Sequence, residues 1–204
     1  ETKLPRINRA WTISGTPVDC VKLALSQLLK TKIDLVISGI NHGPNLGTDV
    51  LYSGTVSAAA EGVIMGIPSL AVSLNAYQPH EGDFSYSVRF VYQMVKFIEQ
   101  NGVEPRTLLN INIPFDKEER YAGVKITRLG IRNYTNVFEA RKDPRGNTYY
   151  WLGGGLQEDR QEVDSDVAAI QNNYISVTPM NLDLTNYGLM EKYRKLMEEQ
   201  NLNF

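Results

Sequence analysis

The chain has 204 residues, 42% hydrophobic and 22% charged, so it is long enough to form a packed core. Its formal net charge of -2 argues against a nucleic-acid polymer as a partner, although a small phosphate would need only a local site. The single cysteine, Cys20, excludes an internal disulfide, and no apolar run or secretory signal is present, so we expect a cytoplasmic protein with no membrane partner.

Strand and helix patterns alternate over the first part of the chain. Weak alternation of apolar residues predicts a strand over 9–14, and Thr16 is a suitable N-cap for a helix over 17–30 with Pro17 at its first position. The next elements are strands over 34–37, 70–74 and 108–113 and helices over 55–65 and from Asp83 to Gly102. Such alternation is typical of a parallel α/β sheet covered by helices on both sides.

The pattern changes after residue 114. Residues 124–128 and 148–152 are predicted to be strands of a hairpin or small extension, with a charged turn at 141–146. An exposed loop is expected up to Asp166, followed by a strand over 174–178 and a polar helix over 189–200. We predict α/β architecture: a Rossmann-like, mostly parallel sheet with a β-hairpin-rich extension and a C-terminal helix. One domain would span 1–204, with its core at 9–114 and 174–179, the extension at 120–165 and an oligomerisation helix at 186–200.

The glycine-rich segment 38–47 follows the predicted strand 34–37, where open parallel sheets bind ligands. It contributes the amide side chains of Asn41 and Asn45. Ser53-Gly54-Thr55 then opens a helix of small residues, and the free amides and dipole at such an end favour phosphate. From the residues alone, two interpretations stay open: an anion site, or a tight loop before a capped helix.

Motifs along almost the whole chain resemble, in order, those of the SurE nucleotidase family. They are Ser-Gly-Thr-Pro-Val-Asp-Cys at 14–20, Ser-Gly-Ile-Asn-His-Gly-Pro-Asn-Leu-Gly at 38–47, Tyr-Ser-Gly-Thr-Val at 52–56, Gly-Ile-Pro-Ser at 66–69, Asp-Pro-Arg-Gly at 143–146, Tyr-Tyr-Trp at 149–151, Ser-Val-Thr-Pro at 176–179 and Leu-Asp-Leu-Thr at 182–185. The resemblance implies a divalent-metal-dependent 5'-nucleotidase that hydrolyses nucleoside monophosphates to nucleoside and phosphate. It adds 3'-nucleotides and polyphosphate as candidate substrates, and homodimers or homotetramers formed through C-terminal elements.

The resemblance also implies residue roles. Asn41 looks like the family's metal-ligating asparagine, with Mg²⁺ or Mn²⁺ as the ion. Asn41 and Asn45 are thus the expected catalytic residues, and the expected phosphate-binding residues are Asn45, Ser53, Gly54 and Thr55. The family's other ligands, an Asp-Asp pair and a serine, precede the segment that matches from Glu1 onward. Because no Asp-Asp pair occurs in this sequence, we expect the remaining metal ligands upstream of Glu1.

Several polar residues keep two interpretations. His42 is either a general base or rim contact, or a solvent-facing loop residue. Asp49 either supports the phosphate loop or merely precedes a helix, and we favour the latter. The segment Asp164-Ser165-Asp166 has acidic spacing that suits a metal, although an exposed acidic loop is commoner. Asp143, Arg145 and Trp151 fit either an arm near the substrate or a subunit contact.

Two other functions remain open. A metal-free nucleotide- or phosphate-binding module, or an inactive fragment, would explain the missing carboxylates. A broader phosphatase or polyphosphate hydrolase would use the same site. A dinucleotide oxidoreductase is disfavoured because no Gly-x-Gly-x-x-Gly follows a predicted strand.

Overall fold

A computed structural model describes residues 8–78, 83–104, 106–116, 118, 120–135, 137–153, 155–157 and 162–200. Its main sheet has five strands in the order β1-β2-β3-β9-β4. These are β1 Val36–His42, β2 Ser69–Asn75, β3 Leu108–Pro114, β4 Gly123–Ile126 and β9 Tyr174–Met180. The strands pair in parallel except for β3 and β9, so the predicted mostly parallel sheet is confirmed.

Five α-helices accompany the sheet: α1 Pro17–Leu23, α2 Gly54–Ile64, α3 Ser85–Asn101, α4 Asp166–Gln171 and α5 Tyr187–Glu199. α1 begins with the expected cap, because Thr16 and Asp19 bond reciprocally, and it continues as a π-helical turn over Ala24–Leu28. A 3₁₀ helix, Gly47–Tyr52, leads into α2. Among the described residues, no helix is long and apolar enough to cross a membrane.

The core lies on both faces of β2 and β3. On one face, alternate residues of these strands pack with Phe90 of α3: Leu70, Val72, Leu74, Ile111 and Ile113. On the other face, Ala71 and Leu108 pack against the apolar side of α2. The sheet is therefore covered by α3 on one face and by α2 on the other.

Smaller β elements form the extension. β5 Asn133–Tyr134 pairs with β8 Leu156–Gln157, and β6 Val137–Lys142 pairs antiparallel with β7 Thr148–Gly153. The turn between β6 and β7 is closed by a 2.9 Å bond from the Asp143 amide to the Asn147 carbonyl. The division into core, extension and C-terminal helix stays a prediction.

Four local predictions were wrong. Residues 9–14 form no strand beyond a single bridge at residue 10. β1 continues to His42, because the glycine-containing motif pairs with β2. Residues 123–126 join the main sheet beside β9, and the hairpin partner of β7 is β6. The expected loop before the last strand contains α4, which Ser165 caps by accepting the Ala168 amide.

Candidate functional site

A bulge in β1 decides where Asn41 lies. Ser38 is opposite Ala71 and Asn41 is opposite Ser73, so Gly39 and Ile40 share the single position of Val72 on β2. Because side chains alternate along a strand, this extra residue moves Asn41 to the face of the sheet that carries Ser73. Gly39 has φ +126°, and a Cβ there would lie 2.3 Å from the Val72 carbonyl oxygen. The bulge therefore depends on glycine.

Asn41 lies on the wall of a cleft with a volume of about 580 Å³. The cleft is lined by residues 41–44 and by four side chains from elsewhere in the chain, Asp49, Tyr77, Arg132 and Tyr134. It lies beyond the carboxyl ends of β1 and β2, because β1 ends at His42 and Tyr77 follows the end of β2. This is where open α/β sheets bind ligands, and the volume is typical of small-molecule sites.

Asp49 joins two residues of the extension to this cleft. Its Oδ2 atom accepts from Arg132 Nη1 at 2.7 Å and from the Tyr134 hydroxyl at 2.6 Å. Only 7% of the Arg132 side chain is exposed, which makes this a largely buried ion pair. Burial, followed by the bond to Asp49, raises the pKa of Tyr134 to about 12. Asp49 therefore connects the 3₁₀ helix to β5, rather than only preceding a helix.

Asn45 is held in a buried polar network. Its backbone N–H donates to Asn112 Oδ1 at 2.8 Å, and its side-chain NH₂ donates to Ser73 Oγ at 2.6 Å. Its carbonyl accepts from the side chains of Asn110 and Asn112, each at 2.9 Å. In this conformation the network fixes the loop that follows Asn41. A role of Asn45 in phosphate binding stays a prediction.

Ser53, Gly54 and Thr55 form the start of α2. Ser53 is buried and caps the helix, with its Oγ accepting the Val56 amide at 3.0 Å. Gly54 is exposed and Thr55 is half-buried, and their N–H groups belong to the first turn, which has no intrahelical acceptors. The described residues that line the cleft containing Asn41 do not include Asn45, Ser53, Gly54 or Thr55. Their phosphate-binding role likewise stays a prediction.

Asp166 does not lie in an exposed acidic loop. It is fully buried, and its two oxygens accept the amides of Gly47, Gly130 and Val167, each at 2.8 Å. Burial raises its pKa, whereas these amide bonds act in the opposite direction. Asp164 instead pairs with Arg128 at 2.9 Å. Asp166 therefore ties the end of the 38–47 motif to the segment after β4.

Among the described residues, Asn41 supplies a suitable ligand for a hard cation. Asn41 donates its NH₂ group to the Gly43 carbonyl at 2.8 Å, so its side-chain oxygen is the atom that could face a cation. An amide oxygen is a ligand that Mg²⁺ and Mn²⁺ accept. Among the described residues, no group of three or more His, Cys, Asp or Glu could hold a metal ion. Asn41 thus fits one position of a metal site, and the described residues do not complete it.

The other metal ligands were expected upstream of Glu1. Glu1 and the six residues after it lie outside the described residues, which begin at residue 8. The structure therefore does not test this expectation, and the position of the remaining ligands stays a prediction.

Three residues singled out from the sequence line the cleft, namely Asn41, His42 and Asp49, and three further ones were missed. His42 lines the cleft beside Asn41, with its ring edge-to-face to Phe84 at 6.4 Å between centroids. Tyr77, Arg132 and Tyr134 were not singled out, because they lie far from the motif in sequence and carry no spacing signal.

Comparisons with known proteins identify the family of this chain. The family model described as Survival protein SurE matches residues 2–136. The chain is 62% identical over 195 residues to the 5'-nucleotidase SurE of Syntrophomonas wolfei, covering 96% of this chain and 74% of that protein. It is 52% identical over 189 residues to the 5'-nucleotidase SurE of Pelotomaculum thermopropionicum, covering 92% and 71%.

A solved structure supports the fold as well. The SurE protein from Aquifex aeolicus superposes with a TM-score of 0.75 at 43% identity, covering 89% of this chain and 73% of that one. The family model matches well over half of this chain, and the relatives are far more similar than fold alone requires. The chain therefore belongs to the SurE family.

Proposed function

We propose that this protein is a 5'-nucleotidase that hydrolyses nucleoside monophosphates to nucleoside and phosphate with the help of a divalent metal ion. The observation that carries the proposal is the position of Asn41, which the β1 bulge places on the wall of a nucleotide-sized cleft. Relatives at 62% and 52% identity bear the name 5'-nucleotidase SurE, which supports the same activity.

Asn41 would hold Mg²⁺ or Mn²⁺ through its side-chain oxygen, because its NH₂ group is already bonded to Gly43. A bound divalent ion would supply a Lewis acid for the phosphoryl oxygen and a water of lowered pKa. The remaining ligands would come from upstream of Glu1, as the family resemblance implies. The bond to Gly43 fixes the side chain of Asn41 before any ion arrives, which reduces the entropy lost on binding.

The start of α2 would bind the phosphate group. The amides of Gly54 and Thr55 and the positive end of the helix dipole favour an anion, and Ser53 holds the first turn in shape. Hydrogen-bond donors fixed in advance also stabilise the charge that grows on phosphoryl oxygens during transfer. Asn45 would contribute by fixing the loop between Asn41 and this helix through its buried bonds.

Phosphate release from AMP by the natural protein tests this proposal. We expect release with Mn²⁺ or Mg²⁺ and none after chelation. Asn41→Ala should lower the apparent affinity for Mn²⁺ and reduce turnover about a hundredfold, in the range that loss of groups supporting a metal site produces. Asn101→Ala, at the exposed end of α3, is the matched control and should behave as wild type.

The same assay separates the rival functions. Nucleotide binding that ignores metal, without phosphate release, would favour a binding module. Comparing 5'- and 3'-monophosphates with polyphosphate would distinguish a nucleotidase from a broader phosphatase. Unchanged kinetics and metal dependence in Asn41→Ala would remove Asn41 as a ligand.

We also propose that the protein forms homo-oligomers. The β6–β7 hairpin and α5 expose large apolar side chains, among them Phe138, Tyr150, Trp151, Leu189, Tyr193 and Met197. Exposed apolar surface of this kind marks interaction sites. Light scattering during size-exclusion chromatography should give a mass of two or four subunits. A single-subunit mass at micromolar concentration would contradict the proposal.

A further inference from the structure

Two tyrosine rings line the cleft beside Asn41. Tyr77 follows β2 and is 62% exposed, and Tyr134 comes from β5 and is 43% exposed. Large aromatic surfaces at the mouth of a concave site are suited to binding planar apolar groups. Asn41 lines the same cleft. A planar group bound there could therefore belong to the same ligand as a group bound near Asn41.

One of these rings is held in position by the protein. The Tyr134 hydroxyl donates to Asp49 at 2.6 Å, and the Arg132 guanidinium lies 5.6 Å from the centre of the Tyr134 ring. The Arg132 main chain is also fixed, because its carbonyl accepts from the Thr48 hydroxyl at 2.9 Å. A ring that is ordered before binding loses less entropy when a ligand stacks on it.

The polar groups beside the Tyr134 ring are bonded to one another. Asp49 Oδ2 accepts both Arg132 and Tyr134, and the Arg132 side chain is only 7% exposed. These bonds orient the Tyr134 ring at the cleft. Stacking, unlike edge recognition, tolerates every base because each has an aromatic face.

We propose that Tyr77 and Tyr134 bind the nucleobase of the nucleoside monophosphate by stacking, with its phosphate toward Asn41. This inference rests on the proposed function and names the part of the site that recognises the nucleoside. The ligand class is a nucleoside monophosphate with either a purine or a pyrimidine.

The test compares substrates with and without a base. In Tyr77→Leu and Tyr134→Leu we expect KM for AMP, GMP, CMP and UMP to rise about tenfold in each case, as expected for loss of base stacking. The ratio of KM for AMP to KM for ribose 5-phosphate should rise by the same factor. In Tyr77→Phe the KM values should stay close to those of the wild type, because phenylalanine keeps the ring.

The control is Tyr92→Leu, which changes a 63% exposed tyrosine on α3, away from the cleft, and should leave all KM values unchanged. Equal increases in KM for AMP and for ribose 5-phosphate would overturn the inference. Unchanged KM values in both leucine variants would do so too. A large change in KM for one base alone would indicate edge recognition rather than stacking and would also overturn the inference. Unfolding midpoints should be measured in parallel, so that a folding defect is recognised.

Direct binding separates this inference from the proposed function. Equilibrium binding of adenosine, which has no phosphate, should weaken about tenfold in Tyr77→Leu even if the protein releases no phosphate from AMP. Adenosine binding that is equal in wild type and Tyr77→Leu would overturn the stacking inference, whatever the catalytic assay shows.

Discussion

Gly39 is the residue on which the position of Asn41 depends. In Gly39→Ala, the new Cβ would meet the Val72 carbonyl oxygen at 2.3 Å, with the backbone at φ +126°. Backbone strain and the clash together should lower the free energy of unfolding by about 3 kcal/mol or more. Urea denaturation measures this change. The affinity for Mn²⁺ should fall as well, because the bulge that directs Asn41 is lost.

Gly66→Ala is the matched control. Gly66 also has a positive φ, +82°, but a Cβ there has no atom within 4 Å. Its substitution should lower the free energy of unfolding by only about 1–2 kcal/mol, the cost of the left-handed backbone alone. Equal decreases in the free energy of unfolding in the two variants would show that the contact of residue 39 with β2 is unimportant.

At the scale of elements, a short segment before α5 holds the start of that helix. Asp183 accepts the Thr185 amide at 2.9 Å and the Tyr187 hydroxyl. Hydrogen bonds from the Thr185 side chain, the Tyr187 hydroxyl and the Thr185 amide, in that order, lower the pKa of Asp183 to about 2. A lowered carboxyl pKa stabilises the folded state above the unfolded value of about 3.9. This stabilisation is lost as the pH falls from about 4 toward 2.

Tyr187→Phe removes one of these bonds, so the pKa of Asp183 should rise from about 2 toward its ordinary value. Titration of the carboxyl carbon by nuclear magnetic resonance measures the change. Tyr193→Phe, on the same helix and also exposed, is the control and should leave that pKa unchanged. A pKa that stays near 2 in Tyr187→Phe would assign the effect to Thr185 alone.

The elements also show what the sequence could predict. α2, β2, α3 and β3 were predicted closely because each has a clear apolar period, a cap or a terminal glycine. The end of β1 was missed because Ser-Gly-Ile-Asn-His has no strand period, and its pairing depends on β2. α4 was missed because it is short and starts at Asp166, whose charge suggested a solvent-exposed loop. That carboxylate is instead stabilised by three amides that only the fold brings together.

The candidate site divides in the same way. The start of α2 belongs to a local motif, so its position could be predicted. Asn41 was expected in the loop after a strand, and it lies within β1. The cleft could not, because Arg132 and Tyr134 reach Asp49 across 83 and 85 residues of sequence. The bulge that directs Asn41 also depends on tertiary pairing, through the Val72 carbonyl beneath Gly39.

At the scale of the whole molecule, the site lies where the main sheet meets the extension. β1 and β2 supply Asn41 and the start of the cleft, and the extension supplies Arg132 and Tyr134 through the Asp49 ion pair. Breaking a buried ion pair by removing one partner costs about 3–5 kcal/mol. Sheet and extension are therefore held together by the same residues that shape the cleft.

The most direct test of this account is a crystal structure of the natural protein with Mn²⁺ and a nonhydrolysable AMP analogue, with anomalous scattering used to locate manganese. We expect a manganese peak at coordination distance from the side-chain oxygen of Asn41, with the base between Tyr77 and Tyr134. Manganese bound elsewhere, with the Asn41 oxygen uncoordinated and the cleft empty, would contradict the account.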